Sequence, residues 1–543
     1  MADKEANSEE DEVFWADRLA ESIISRNKFH YLDKKVEQPK EFVVKTSASI
    51  SGVLHIGRLS DTIRGFTVYR ALKDQGVKAR IIWVAEDMDP LRKIPEGVPK
   101  EFEKYLGMPV TDIPDPKGCH QTYAAHHIAE YFQSLDNFVF TKLEKFSMRE
   151  EYLKGSFNQM IKALLENEEQ VREIQNRYRT NPLKKGWSPW SPICEKCGKV
   201  ATPKVTEFKD GKIHYVCKDY YFETTMAAGC NFHGEADPFS GNGKLMWKSE
   251  WAAQWLRWNI CTEGAGKEYQ VPNSAFWINA EIAEKVLSYP MPQPIFYEHL
   301  MIDGVKMSAS LGNVIYPKDW LEVARPELLC YFYNKRLMKT RNFSWKDLPN
   351  LYEDYDHCAR IYAGSEKLDN EKELQHMKRL FVLSHKQDEV SEPLEMSFSH
   401  AVLLSQVFQE EQEIIASLKK TGHYQPELHA EIKDRLAKAL FWVKHHAPDE
   451  YKIEVQHSIP KDIVLSDKQK EALRQIVKAV KEKEWDEKSL HNEFYEIAKK
   501  LDMPPAELFK AGYRVLLNKE RGPKLAHFML ALGDRSIKIL EKV

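Results

Sequence analysis

Between Glu41 and Val84 the hydrophobic period changes twice, and this limits the folds open to the chain more than any other stretch. Phe42, Val43 and Val44 form a short apolar run of strand type. Leu59, Ile63, Phe66, Tyr69 and Leu72 then recur at the three- and four-residue spacing of a helix, which Gly76 is placed to end. Ile81, Ile82, Trp83 and Val84 give a second strand. Strand, loop, helix, strand is a βαβ unit, which predicts a parallel sheet with ligands at the C-terminal ends of its strands. The intervening loop is small and polar and runs into His55-Ile56-Gly57-Arg58. A glycine there lets a phosphate or ribose approach the backbone, and a helix N-terminus favours negative charge. His55 can donate a hydrogen bond to a phosphate without carrying full charge. Taken alone, this motif is equally an ordinary turn with a packing histidine.

A second segment lies far along the chain: Lys306-Met307-Ser308-Ala309-Ser310-Leu311-Gly312-Asn313. One lysine and two hydroxyls on a loop suit a pyrophosphate leaving group, neutralising developing charge and opening for product release. The two motifs, in this order on a βαβ frame, resemble those of class I aminoacyl-tRNA synthetases. Asp87-Met88-Asp89-Pro90-Leu91-Arg92-Lys93-Ile94-Pro95 is similar to the D-x-D-P-L-R-K-x-P run of class I lysyl-tRNA synthetases of archaeal type. Trp251-Ala252-Ala253-Gln254-Trp255, Ser274 to Val286 and Gly522-Pro523-Lys524 extend the resemblance over nearly the whole chain past its N-terminal tail. The sequence departs from the pattern at Arg58, where the family usually has a small polar residue. It departs again at Ala309, where the wider class has a second lysine, and at Gly266-Lys267-Glu268-Tyr269, where the family has G-K-D-H.

The resemblance implies activation of L-lysine by ATP, with Mg²⁺, to lysyl-adenylate, then transfer to the 3′ end of tRNA(Lys). It gives catalytic roles to His55, Gly57, Arg58, Lys306, Ser308 and Ser310, with Met307 also at ATP. The candidate lysine contacts are Asp87, Asp89, Trp251, Tyr269 and Tyr297, with Glu298 beside the last. Asp87 and Asp89 equally suit structural capping, and Trp251, Trp255 and Trp258 at helical spacing read first as a core stripe, with Trp251 still placed to flank a long alkyl-ammonium substrate. Two other readings stay open: a class I synthetase for another amino acid, against which the Asp87 to Pro95 run argues, and a tRNA-binding paralogue without catalysis.

Several of the eight cysteines stand at metal spacing, which suits a reducing cytoplasm better than a disulfide framework. Cys194-x₂-Cys197, then Cys217 and Cys230, match a zinc ribbon, with His233 a possible substitute for one of the last pair. Asp115, Cys119, His120 and His126 offer zinc-type ligands within twelve residues, and the resemblance includes a metal site of this sort. A solvated helix face is the competing account of these histidines, and the one expected for His127. A net charge of −3 excludes a generally basic nucleic-acid coat. A tRNA partner then needs local patches, such as Arg172, Arg177, Arg179, Lys184 and Lys185, or Lys335, Arg336, Lys339 and Arg341.

The expected fold is α/β: a Rossmann-type parallel-sheet catalytic domain with a zinc-containing insertion and a C-terminal all-α bundle. The expected divisions are an acidic disordered tail (1–12), the first catalytic half (13–110), the metal insertion (111–247) and the second catalytic half (248–303). A loop and stem-contact region (304–350) and a helical anticodon-binding domain (351–543) follow. Helices are expected at Val13 to Arg26, Phe157 to Glu173 and Ala280 to Leu287, and a strand at Ile295 to Ile302. Beyond Pro349, helices are expected at Glu371 to Leu380, Ser399 to Leu418, His429 to His445, Asp467 to Glu482 and Ser489 to Leu501. No stretch is apolar for long enough to span a membrane. The oligomeric state is left open.

Overall fold

The protein is described by a computed structural model that covers residues 13–50, 55–95, 98–307, 312–386, 392–460 and 462–543. The N-terminal tail, Ser308, Ala309 and Ser310 lie outside the described residues.

Helix α1 (Trp15–Ser25) precedes the expected unit: β1 (Phe42–Ser49), α2 (Ile56–Asp74) and β2 (Ala79–Glu86). β1 and β2 are parallel, in register from Phe42 opposite Ala79 to Ser49 opposite Glu86. Gly76, at φ +79°, follows α2 in the left-handed conformation that ends helices. Gly65 faces β1, where a Cβ would collide with Thr46; its absence lets α2 lie close on the strand. α2 is buried on nearly all sides, so polar Asp61, Arg64 and Thr67 are enclosed with its apolar residues.

The chain then forms α3 (Tyr123–Phe138), β3 (Glu144–Ser147) and α4 (Met148–Leu153) before the insertion. The insertion begins with α5 (Asn158–Glu166) and α6 (Glu168–Asn176). The continuous helix expected over Phe157 to Glu173 is broken at Asn167, whose φ −112° and ψ 27° are not helical. A three-stranded antiparallel sheet follows, made of β5 (Pro203–Lys209), β6 (Lys212–Cys217) and β9 (His233–Ala236). β4 (Trp190–Pro192) pairs with β10 (Gly243–Leu245), and β7 (Tyr220–Tyr221) with β8 (Met226–Ala227).

α7 (Trp247–Trp258), β11 (Ile260–Gly266), α8 (Ala275–Lys285) and β12 (Gln293–Tyr297) return to the first sheet. That sheet is parallel throughout in the order β12-β11-β1-β2-β3. The chain leaves β1 toward β2 on one side and later returns to β11 on the other. The β1–β11 boundary is therefore the switch point where open α/β sheets bind ligands. The strand expected over Ile295 to Ile302 is divided: β12 ends at Tyr297, and β13 (Leu300–Ile302) joins a separate small sheet with β14 (Val305–Lys306) and β15 (Arg341–Phe343). Asp303 and Gly304, both at positive φ, form the tight turn between β13 and β14.

The chain divides into two compact units. The first holds the described residues of Met1–Trp320, Leu329–Phe343 and Leu368–Val390; the second those of Leu321–Leu328, Ser344–Lys367 and Ser391–Val543. Helix Glu371–Ser384, whose periodicity groups it with the later helices, packs in the first unit, where Arg379 pairs with Asp17 and Asp74. The second unit is helical, including Leu348–Ala363, His429–His445, Asp467–Glu482 and Glu487–Lys500. The helix expected over Ser399 to Leu418 is two, Phe398–Val407 and Glu411–Lys420. Arg435, buried in this unit, pairs with both carboxylate oxygens of Asp356 at 2.7 and 2.8 Å.

Candidate active site

At the C-terminal ends of β1, β2, β11 and β12 lies a cavity of about 720 Å³. It brings together His55, Gly57, Arg58, Asp89, Trp251, Tyr269, Tyr297, Lys306 and Met307. Sequence separation is bridged by topology, because β12 and the β13–β14 hairpin carry Lys306 and Met307 to the start of α2.

His55 is the residue before the first turn of α2, and Ile56 is fixed on both sides. Its N–H donates to Ile315 O at 2.9 Å, and its carbonyl accepts from the Tyr333 hydroxyl at 2.9 Å. Burial, then the Arg58 charge, pushes His55 down to about 4, so its ring is neutral at pH 7. Its buried Nδ1 has no hydrogen-bond partner among the described residues. Gly57 makes room for that ring, since a Cβ there would lie 2.9 Å from the imidazole and 3.5 Å from the Met307 methyl. The Arg58 guanidinium lines the cavity and donates to the Ser49 carbonyl. Lys306 is exposed and makes no ion pair among the described residues.

Below these groups is a floor of buried charge. Lys45 Nζ lies 2.5 Å from Glu263 and 3.5 Å from Glu86. Burial alone would lower Lys45; the two carboxylates outweigh it and raise it. Trp255 Nε1 donates to the other oxygen of Glu263 at 2.6 Å, and Gln254 donates to Glu86 at 2.9 Å. Lys244 lies 3.0 Å from both Asp89 and Glu250. Asp61 has no ion pair among the described residues. It accepts from Ser47 N at 3.1 Å and the Tyr297 hydroxyl at 3.2 Å, and burial pushes it up to about 6. Gly264 permits this, because a Cβ would collide with Asp61 Oδ1. Trp251 is 3% exposed, stacks on Trp247 at 4.9 Å and meets Tyr269 edge-on at 5.2 Å.

Asp87 does not line the cavity. It accepts from Ser147 Oγ at 2.5 Å and Arg149 N at 2.9 Å, and so holds the start of α4. Glu298 also lies off the cavity lining, paired with Lys267 at 2.9 Å. Lys45, Asp61, Glu86, Lys244, Glu250 and Glu263 are the residues that sequence reasoning missed. Their signal was a charged residue inside an apolar strand or a buried helix face, as at Lys45 after Phe42 to Val44.

Two further clusters lie in the same unit. The Sγ atoms of Cys194, Cys197, Cys217 and Cys230 lie within 4.8 Å of one another, with 3.7 Å from Cys194 to Cys230 and from Cys197 to Cys217. His233 is outside this set, exposed on β9. Asp115, Cys119, His120 and His126 converge likewise: Cys119 Sγ is 3.2 Å from Asp115, 3.2 Å from His120 and 3.1 Å from His126. Ligands held tetrahedrally at zinc distances are about 3.3–3.8 Å apart; the two quoted cysteine distances fall in that range, and the second set, slightly closer, offers zinc-type donors. His126 Nε2 lies 3.4 Å from Glu130, the kind of outer carboxylate that orients a ligating imidazole. His127 is not simply solvated; burial lowers it to about 4, and it sits against Tyr123.

The first basic patch is partly spent, Arg172 on Glu169 and Arg177 on Glu281; Arg341 of the second is buried over Phe332. No helix among the described residues is long and apolar enough to cross a membrane.

The family model for tRNA synthetases class I (K) matches residues 13–387. A lysine–tRNA ligase of Methanosphaera stadtmanae is 31% identical over 535 residues, covering 95% of this chain and 97% of the relative. One from Methanocaldococcus jannaschii is 31% identical over 96% of this chain and 98% of its own length. One from Thermococcus kodakarensis is 32% identical, again over 96% and 98%.

Proposed function

The chain belongs to the class I (K) tRNA synthetases, and from that premise we propose that it is a lysine–tRNA ligase. It activates L-lysine with ATP and transfers the lysyl group to the 3′ end of tRNA(Lys). The observation that carries this is the cavity at the sheet's switch point, with a neutral histidine and a lysine that makes no ion pair among the described residues at its rim, and a carboxylate-rich floor. A lysine substrate brings two ammonium groups and one carboxylate, and this floor is built to receive cations.

On this reading the lysine carboxylate attacks the α-phosphate of ATP, forming lysyl-adenylate and releasing pyrophosphate. Catalysis is mainly positioning and charge neutralisation. His55 donates to a phosphate oxygen, Arg58 reaches the same region from the start of α2, and Lys306 meets the β- and γ-phosphates. Ser308 and Ser310 are proposed to join it from the sequence pattern. Asp61, which has no cation partner of its own, takes one substrate ammonium, while Asp89, Tyr269 and Tyr297 line its path. Trp251 supplies an apolar wall for the alkyl chain. Mg²⁺ accompanies ATP.

The Cys194, Cys197, Cys217 and Cys230 set is proposed to hold a structural zinc ion. The Asp115, Cys119, His120 and His126 set is proposed to hold a second. When bound, each would cross-link its loops and neutralise thiolate charge. The helical second unit is proposed to hold the anticodon, and the protein to work in the cytoplasm.

The test is ATP–pyrophosphate exchange with lysine, glutamate and arginine in turn, with and without tRNA. Lysine-dependent exchange is expected. Exchange with glutamate or arginine and not lysine overturns the assignment. No exchange with any of the three in the presence of tRNA(Lys) favours a non-catalytic paralogue.

A further inference from the structure

α2 carries a charged residue that the chemistry proposed above does not use. Arg64 is fully buried, one turn beyond Asp61 on the same helix, and it does not line the cavity. None of its three guanidinium nitrogens has a hydrogen-bond partner among the described residues. A guanidinium stays ionised inside a protein, and a buried charge without an acceptor destabilises the fold that holds it. What Arg64 has instead is two aromatic faces. Its guanidinium carbon stands 4.7 Å from the centre of the Tyr297 ring and 5.0 Å from that of Tyr333. Such cation–π attraction is strongest where water is excluded. The charges that face it do not cancel it. Asp61 makes no ion pair with it, and Arg341 is a like charge, pushed down to about 10 first by burial and then by Arg64.

Both rings end in hydroxyls that hold the candidate active site. Tyr297, at the end of β12, donates to Asp61 Oδ1 at 3.2 Å. Tyr333, on the helix Pro326–Asn334, donates to the Ile56 carbonyl at 2.9 Å, next to His55. That helix is fastened to α2, since Thr67 Oγ1 donates to Asn334 Oδ1 at 3.0 Å. We propose, on the ligase reading and resting on it, that Arg64 is a positioning residue for lysine activation. It clamps the Tyr297 and Tyr333 rings, and through their hydroxyls it sets Asp61 for the substrate ammonium and the start of α2 for the phosphates. A phenol hydroxyl rides at the far end of its side chain, so a small rotation of the ring takes it out of hydrogen-bond range. One planar cation between two faces removes that freedom from both rings at once, which the compact charge of a lysine does less well. A buried charge kept at the expense of stability beside a site is the trade that positioning demands.

The test is single-turnover lysyl-adenylate formation by the full chain with tRNA(Lys) present, over a range of lysine concentrations, alongside denaturant unfolding. Arg64→Met removes the charge and keeps a long side chain. The lysine concentration for half-maximal rate should rise by about 5- to 30-fold, the equivalent of a buried cation–π contact. The unfolding midpoint should stay or rise, because an unpartnered charge has left the interior. Arg64→Lys should recover part of the loss. Tyr297→Phe keeps the ring and removes the hydroxyl; in that background Arg64→Met should raise the lysine requirement by less than about twofold more, since the link to Asp61 is already cut. Arg64→Met should also lower the maximal rate, and Tyr333→Phe should absorb that part in the same way. An unchanged lysine requirement in Arg64→Met overturns the inference. So does a rise of equal size with and without the Tyr297 hydroxyl, or one accompanied by a lowered midpoint and no recovery in Arg64→Lys, because that is loss of packing. If the unaltered protein activates no lysine, the ligase reading itself fails, which is a different result from activation that ignores Arg64.

Discussion

The cavity floor and the four-cysteine knuckle both crowd groups that carry or acquire charge, and they resolve the crowding in opposite ways. The floor is partly neutralised from within: Lys45 stands between Glu263 and Glu86, and Lys244 between Asp89 and Glu250. Each buried charge there except Asp61, which is held by hydrogen bonds from Ser47 and Tyr297, has an ion-pair partner on the protein. The knuckle has four sulfurs and no cation among them; beyond one another its thiols meet only weak partners, such as Thr202 Oγ1 at 3.1 Å from Cys217. Ionising them calls for a cation from outside, which is the zinc ion proposed above. The Asp115 cluster lies between these cases, because its carboxylate already accepts from the backbone N–H groups of Lys117, Cys119 and His120. On the proposed reading, the protein spends its own charges where the site must keep a shape and uses an ion where loops must be joined.

The largest test of this contrast is Cys194→Ala. Structural zinc contributes on the order of 10 kcal/mol of folding-linked free energy. The variant should lose one equivalent of zinc by elemental analysis and loosen the insertion to proteolysis. Full retention of metal would remove the knuckle from the argument.

Lys45→Met attacks the other side. It leaves Glu263 and Glu86 unpaired and should cost about 3–5 kcal/mol in denaturant unfolding, with zinc content unchanged. A cost below 1 kcal/mol would mean that the floor is not held by mutual neutralisation.

Lys306→Ala removes a cation that belongs to neither network. Adenylation should slow by about a hundred- to a thousandfold, about 2.7–4 kcal/mol, with ATP affinity and unfolding nearly unchanged. Arg58→Ala should also slow it, and the double variant should be less than additive, because both cations act on one phosphate group. A folded Lys306→Ala protein that activates lysine at the unaltered rate would end the proposed role of the β14 lysine.

The smallest effect should come from Asp61→Asn, which removes the one floor carboxylate lacking an ion pair. Burial lifts Asp61 from 3.8 to about 6. Below about pH 3 the carboxyl is protonated in both folded and unfolded chains, and the variant should match the parent. Between about pH 4 and 6 the unfolded chain ionises before the folded one, so the parent loses stability relative to the variant, by about 1–3 kcal/mol once the pH has passed 6. Lysine KM should rise in the variant, and in the parent as pH falls below 6. A stability difference that does not change between pH 4 and 7.5 would exclude this titration.

The central βαβ unit could be read from the sequence because its signals are local: the run at Phe42, the helical spacing from Leu59 and the stop at Gly76. The pairing of His55 with Lys306 was legible too, though only through the resemblance of the two motifs, in their order, to those of class I synthetases. The floor was not. Lys45 meets Glu263 across 218 positions, and nothing near either residue names the other. Asp87 and Asp89 show the same limit. They look alike in sequence, yet one caps α4 and the other meets Lys244 at the cavity, since the strand end turns their side chains into different surroundings.

β12 ends on Tyr297, which grips Asp61, and the same stretch of chain runs on through β13 to Lys306. The proposed amino-acid end and phosphate end of the cavity are therefore two jaws of one calliper. Its arm is clamped once in the main sheet and once in the small one, and the span between the jaws is a gauge length set by the fold.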